Sequence, residues 1–360
     1  MRESISEYDE KHMVRKTTLR LTADAAAIHS TESRASLAQA ADFLKSGATV
    51  AFPTETVYGL GANALDASAV SQIFLAKERP SWDPLIVHIS TGTMLDELAR
   101  DISPASRTLM NAFWPGPLTL LLPRASVVPT AVTAGRDLVG VRMPAHPVAH
   151  ALIAAAGLPI AAPSANRFGR ISPTTAAHVL EDLDGRIDAV LDGGPTRVGV
   201  ESTVVDASSR RVVIYRPGVI TQAQIEALVG PVTTFNAAAA YRTPEALPSP
   251  GVAVRHYAPR ARLILVEGDT SSELEANLLQ EPTAPGDRIG VMLPTYWAAP
   301  SRADAIYDWG EWDDCDMLAK RLFAGLRALD AEGVSIIICP LPPPEGVCLA
   351  IRDRLQRAAR

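Results

Sequence analysis

Two kinds of apolar run alternate along this chain. In "RASLAQAADFLKSG", "SAVSQIFLAK", "PASRTLMNAFW", "PVAHALIAAAG" and "TAAHVLEDLDG" the apolar residues recur at three- and four-residue spacing, and most of these runs stop against Gly or Pro. That spacing places one apolar stripe along a helix. Between them lie "ATVAFPT", "PLIVHIS", "LTLLLP", "GVRMP", "LPIAAPSAN", "IDAVLDGG", "ESTVVDAS" and "RVVIYRPG", which are short, apolar and bounded by turn residues. These predict buried strands. The alternation predicts an α/β domain over residues 31–232, built on an open, twisted, mixed sheet.

The stretch "TTFNAAAAYRTPEALPSPGVAVRHYAPRA" has no period and is rich in Ala and Pro, so residues 233–262 read as a linker. A second alternation follows, in "RLILVEG", "ELEANLLQE", "RIGVMLP", "AKRLFAGLRALDAEG", "VSIIICPLP" and "LAIRDRLQRAAR". It predicts a smaller α/β domain of Rossmann-like character over 263–360. No GxGxxG occurs there, so dinucleotide binding has little support. Residues 1–30 read as a polar N-terminal extension. They lack the apolar core of a signal peptide, and no run of about 18 apolar residues occurs in the chain.

Composition narrows the picture without deciding it. Hydrophobic residues make up 47% and charged residues 21%, with a net charge of −6. Between Thr31 and Phe235 there are 16 Lys and Arg against 18 Asp and Glu, which argues against a nucleic-acid binder by bulk charge. The three cysteines, Cys315, Cys339 and Cys348, show no CxxC spacing. Neither a zinc site nor a disulfide framework is expected, and a reduced, cytoplasmic setting follows.

Four polar loops at strand ends carry the candidate chemistry. "FPTETVYGLGANA" offers the hydroxyls of Thr54, Thr56 and Tyr58 with Glu55 and two glycines. It suits either a small polar ligand or a plain turn that needs glycine at positive φ. "KERPSWDPLIVH" sets Lys77 and Arg79 at a helix end before Pro80, Trp82, Asp83, Pro84 and His88. Complementing the helix dipole explains one of the two cations; Lys and Arg together suit a polyphosphate. "APSANRFGRISPT" reads as a Ser/Asn turn that doubles as a helix cap. "GVESTVVD" puts Glu201, Ser202 and Thr203 at a strand start. Such loops gathered at the ends of one sheet are the pattern of a ligand site. GxxxxGK[ST], HExxH and GxSxG are all missing, so a nucleotide would have to bind by a non-Walker route.

In order, "FPTETVYGLGANA", "KERPSWDPLIVH", "FWPGPLTLLLP", "VRMPAHP", "APSANRFGRISPT", "DGGPTRVGVESTVVD" and "YRPG" resemble the YrdC-type threonylcarbamoyl-AMP synthases. "SPGVAVRHYAP" and "LAIRDRLQRAA" are similar to the linker and closing segment of the long, two-domain form of that family. The resemblance implies a nucleotidyltransferase that condenses L-threonine, bicarbonate or CO₂, and ATP, with Mg²⁺ on the ATP. Pyrophosphate leaves, and the product is L-threonylcarbamoyladenylate. A separate transferase then modifies a tRNA adenosine. No membrane contact and no tight nucleic-acid binding are expected.

Carried onto this chain, the resemblance implies a threonine site of Thr56, His88, Arg142 and Ser202, with main chain at Ala162. It implies an ATP site of Lys77, Arg79, Asp83, Ser164, Asn166, Ser172 and Arg216, with main chain near Leu138. Arg255, His256 and Tyr257 would form a lid. No general base is assigned. The family often has Asn at Asp83 and at Arg352, and Val252, Ala253 and Val254 depart from the family's linker pattern. The competing reading is an RNA-binding or ribosome-assembly module on the same fold. A hydrogenase-maturation type of carbamoyl transfer would bring acylphosphatase and zinc-finger segments, and neither is visible.

Overall fold

The computed structural model describes residues 16–235 and 256–360. Eleven strands form one mixed sheet. In chain order they are β1 (Leu19–Thr22), β2 (Val50–Phe52), β3 (Gly59–Asn63), β4 (Ile86–His88), β5 (Leu118–Pro123), β6 (Leu138–Arg142), β7 (Ile160–Ala161), β8 (Ala189–Asp192), β9 (Thr203–Asp206), β10 (Val212–Arg216) and β11 (Val232–Thr234). Their spatial order is β1-β8-β2-β3-β7-β4-β6-β5-β9-β10-β11. The helices pack around this sheet: α1 (Thr31–Lys45), α2 (Ala67–Lys77), α3 (Gly92–Leu98), α4 (Pro104–Phe113), α5 (Thr130–Thr133), α6 (Pro147–Ala156), α7 (Ala176–Leu183) and α8 (Gln222–Val229). Most are started by the residue their sequence provides. Ser30, Asp66, Ser103 and Thr175 accept from backbone N–H groups of the first turn, the role that favours Ser, Thr and Asp at N-caps.

The expected alternation holds, with three corrections. The polar stretch before residue 31 is not all extension. Leu19–Thr22 pairs in parallel with Ala189–Asp192 as an edge strand, and Lys16 is 2.8 Å from Asp188. Gly59 and Gly61 do not mark a turn. They lie inside β3, and neither has positive φ. Their lack of a side chain matters for packing: a Cβ on Gly61 would sit 2.7 Å from Ile160 Cγ2 and 2.7 Å from Phe52 Cε1. The third correction concerns cysteine. Cys315 and Cys348 form a disulfide, and Cys339 is free and buried. Spacing gave no hint of that pair because tertiary structure brings the two residues together across a sequence separation of 33.

The second sheet has four strands, β12 (Arg262–Val266), β13 (Ile289–Pro294), β14 (Ala305–Gly310) and β15 (Ile336–Pro340), in the order β12-β15-β13-β14. All of its pairs are parallel. Three helices accompany it: α9 (Ser271–Gln280), α10 (Cys315–Ala331) and α11 (Cys348–Ala358). Among the described residues, no helix is long and apolar enough to cross a membrane.

The two parts share a core. Val57, Ile171 and Val200 pack in one apolar cluster with Leu318, Leu322, Phe323, Ile351 and Leu355. Gly199, at φ +84°, lets α10 approach closely: a Cβ there would lie 2.4 Å from Lys320 Cα. Arg327 of α10 reaches across to Glu181 at 2.9 Å, Asp182 at 2.6 Å and the Ile171 carbonyl at 2.5 Å.

Candidate active site

Sheet geometry gathers the polar loops. β4 and β6 run parallel, with His88 and Arg142 as register partners at their ends. β2 ends just before Thr54–Val57, β7 just before Ala162–Ser164, and β10 at Arg216. Glu201 and Ser202 lead into β9. These ends line one cavity with Val57, Gly59, Arg79, Ile86, His256 and Tyr257. Its free space is about 520 Å³, open solvent at the mouth included.

One side of the cavity centres on Arg142. Its Nη1 donates to Thr56 Oγ1 at 2.9 Å, its Nε donates to the Gly116 carbonyl at 3.2 Å, and its Nη2 lies 2.6 Å from Glu55 Oε1. Burial pushes the Glu55 carboxyl upward, but Arg142 outweighs it and holds the group below its usual range. Thr56 is fixed in turn by Thr54, whose Oγ1 is 2.8 Å away and donates to the Val57 carbonyl at 2.7 Å. His88 is buried between these groups, with no hydrogen-bond partner at Nδ1. Burial, reinforced by the Arg142 charge, lowers its pKa to about 3, so the imidazole is neutral at pH 7.

The other side is cationic. Arg216 donates from Nε to the Ser202 carbonyl and from Nη2 to Ser202 Oγ, both at 3.0 Å, and Ser202 Oγ lies 2.8 Å from Thr119 Oγ1. Arg79 and Asp83 form a buried pair at 2.9 Å, and Arg79 also donates to the Asp83 and Pro84 carbonyls. Ring contacts connect the same loop to the expected lid. Trp82 meets Phe168 edge-on at 6.0 Å, Phe168 meets His256 at 5.9 Å, and His256 meets Tyr257 at 4.1 Å. Burial lowers the His256 pKa well below its ordinary value, and Arg79, Lys77 and Arg216 lower it further. Arg255 lies outside the described residues.

Ten of the residues assigned to the threonine site, the ATP site or the lid therefore meet at this cavity, Thr56, Arg79, His88, Arg142, Ala162, Ser164, Ser202, Arg216, His256 and Tyr257, joined by Thr54 and Glu201 of the polar loops. Lys77, Asp83, Leu138, Asn166 and Ser172 do not line it. Lys77 is buried, and its ammonium donates to the Ser164 carbonyl at 2.6 Å and to that of Asn166. It braces the loop that frames the cavity. Asn166 donates to the carbonyls of Arg167 and Arg170, and Ser172 donates to Glu201 Oε1 at 2.5 Å. Leu138 begins β6, four positions before Arg142. Tyr58 turns its hydroxyl to Asp192 and to the Gly194 carbonyl.

Sequence reasoning placed Glu201 in a candidate ligand loop but gave no role to Arg354, which contacts it from α11. A signal for Arg354 was present. It shares one helix face with the buried Ile351, Leu355 and Ala358, and a cation on an apolar face needs a buried partner.

Two family models cover most of the chain. One, described as telomere recombination (Sua5_yciO_yrdC), matches residues 42–218. The other, the threonylcarbamoyl-AMP synthase C-terminal domain, matches residues 220–360. The threonylcarbamoyl-AMP synthase of Bacillus subtilis is 47% identical over 324 residues, which cover 90% of this chain and 92% of that protein. The chain belongs to the threonylcarbamoyl-AMP synthase family. It has the long, two-domain form of that family. The Pyrococcus abyssi threonylcarbamoyl-AMP synthase is 44% identical over 326 residues, covering 89% of this chain and 93% of that protein. A crystal structure of P. abyssi Sua5 complexed with L-threonine superposes with a TM-score of 0.86 at 41% identity, over 95% of this chain and 98% of that one.

Proposed function

We propose that this chain is an L-threonylcarbamoyladenylate synthase whose cavity holds L-threonine beside ATP. The observation that carries this reading is the meeting of Arg142, Thr56 and His88 with Arg79, Ser164 and Arg216 in one cavity. Arg142 offers a planar guanidinium for the threonine carboxylate, already oriented by Thr56 and Glu55. His88 is neutral at pH 7 and its unpartnered Nδ1 is free to hydrogen-bond threonine, while no general base is assigned. Arg79 and Arg216 face the phosphates.

The reaction runs in two steps. The threonine ammonium loses a proton to solvent or bicarbonate, the freed amine nitrogen bonds to the carbon of CO₂, and a second proton leaves that nitrogen to give a carbamate. A carbamate oxygen then bonds to the α-phosphorus of ATP while the bond from that phosphorus to the bridging β-phosphate oxygen breaks. Pyrophosphate leaves. The second step needs in-line positioning and charge neutralisation and no covalent intermediate on the protein. Among the described residues, no group of three or more His, Cys, Asp or Glu side chains is placed to hold a metal ion. Asp83 is committed to Arg79 and Glu201 to Arg354, so Mg²⁺ would enter on the phosphates as part of the substrate.

The adenylate would feed a separate transferase that modifies tRNA in the cytoplasm. The alternative of an RNA-binding module draws no support from the cations. Arg79, Arg142 and Arg216 are between 3% and 7% exposed, so they form no surface stripe for a backbone to follow. The test is pyrophosphate release with each of threonine, bicarbonate, ATP and Mg²⁺ omitted in turn. Release that continues at full rate without threonine contradicts the reading.

A further inference from the structure

Besides apolar packing, the second domain reaches the cavity wall with a buried cation. Arg354 of α11 is 1% exposed. Its Nε donates to Glu201 Oε2 at 2.9 Å, its Nη2 to the Glu201 carbonyl at 3.3 Å and its Nη1 to the Pro217 carbonyl at 2.8 Å. Its guanidinium also lies 5.6 Å from the centre of the Tyr257 ring. Burial alone would weaken its charge; the Tyr257 hydroxyl, Glu201 and Asp353 more than compensate. Glu201 lines the cavity, is one residue before Ser202, and takes its second hydrogen bond from Ser172. Pro217 follows Arg216 directly. A single guanidinium therefore ties together the peptides that present Ser202 and Arg216, under the ring of Tyr257.

We propose that Arg354 is a positioning residue for the reaction, acting through Glu201, and that by this contact the C-terminal domain completes the substrate site. A shape-only contribution of the second domain would be met by the apolar cluster and by the surface-side pairs of Arg327. It would not require a buried cation bonded to two separate wall segments. Substrate binding and in-line attack both depend on where the wall holds its donors, and a misplacement of about 1 Å can cost about 100-fold. Loosening Glu201 and Pro217 moves the donors at Ser202 and Arg216 together.

This inference rests on the proposed reaction, and the wild-type enzyme separates the two. If the wild type releases no pyrophosphate in response to threonine, the reaction is wrong; the inference is judged only against an active wild type. The variants are Arg354→Met, Arg354→Lys, Glu201→Gln and the double Arg354→Met/Glu201→Gln, which leaves no lone buried charge. Threonine and ATP KM values are measured, because they do not depend on the fraction of protein that is folded. We expect each neutralising single variant to raise the threonine KM by about tenfold or more. Lysine should fall between wild type and Met. The double variant should be no worse than the poorer single. Unchanged KM values with only kcat reduced, or losses that simply multiply in the double variant, overturn the proposal. If Arg354→Met does not fold, the lysine variant and the double variant carry the same comparison.

Discussion

Arg142 Nη2 lies 2.6 Å from Glu55 Oε1, with both side chains buried and Arg142 lining the cavity. The carboxylate holds the guanidinium in place and offsets part of its charge, while Nη1 stays on Thr56. Removing Arg142 takes away the carboxylate's partner and leaves Glu55 buried and unpaired. Arg142→Ala should weaken threonine binding by about 100-fold, the loss expected of two charge-assisted hydrogen bonds. Glu55→Gln keeps a hydrogen-bond acceptor and should cost about tenfold or less. Titration calorimetry with L-threonine reads both; equal losses would mean that Glu55 contacts the substrate itself.

Arg79 and Asp83 make a second buried pair, in which the acid's work is to aim the base. Asp83 does not line the cavity and Arg79 does. Arg79→Ala should therefore lose most of the activity and raise the ATP KM. Asp83→Asn preserves the shape and an acceptor for Arg79, and should stay within about tenfold of wild type. A loss in Asp83→Asn matching that of Arg79→Ala, measured as kcat/KM for ATP, would make the acid essential in its own right.

Much of this was legible in the sequence, for a physical reason. The site is built from backbone turns at strand ends, and such turns need particular local residues. "PTETVYG", "APSAN" and "VESTVVD" therefore announced themselves, and Thr56, Ser164 and Ser202 of those loops line one cavity, whereas Arg142 was named only through the family resemblance. What stayed hidden is the direction of long side chains. Lys77 and Arg79 are two residues apart at one helix end, yet Arg79 faces the cavity and Lys77 the loop carbonyls of Ser164 and Asn166. Spacing along a chain cannot choose between those directions. Arg354 was hidden further, since its partner Glu201 lies 153 residues away.

Gly61 offers a test of packing that leaves the chemistry alone. Its strand position has ordinary backbone geometry but no room beside Phe52 and Ile160. Gly61→Ala should destabilise the protein by about 1–3 kcal/mol through overpacking. The midpoint of thermal unfolding should fall by several degrees. A Tm unchanged from wild type would show that the β2–β3 contact has slack.

Acid should unfold the protein through its buried imidazoles. His88 has a folded pKa of about 3 against an ordinary value of 6.5. The unfolded chain takes up this proton below about pH 6.5, and the folded chain does so only near pH 3. The contribution is therefore complete above pH 6.5 and is lost as the pH falls through that window, by about 1.4 kcal/mol per pH unit. His146 and His178, each lowered to about 4, chiefly by burial, add in the same direction. The urea midpoint should drop between pH 7 and pH 5, and it should drop less in His88→Asn. An equal drop in both proteins would remove His88 from the account.

The most direct test of the central claim follows the carbon. Purified protein is mixed with L-threonine, MgATP and ¹³C-bicarbonate, and the nucleotide products are separated at once and weighed by mass spectrometry. The account predicts a threonine adduct of AMP that carries one ¹³C in a carbamate carbonyl, formed together with pyrophosphate. An adenylate of threonine without the label would contradict it, because the threonine carboxylate would then have attacked ATP directly.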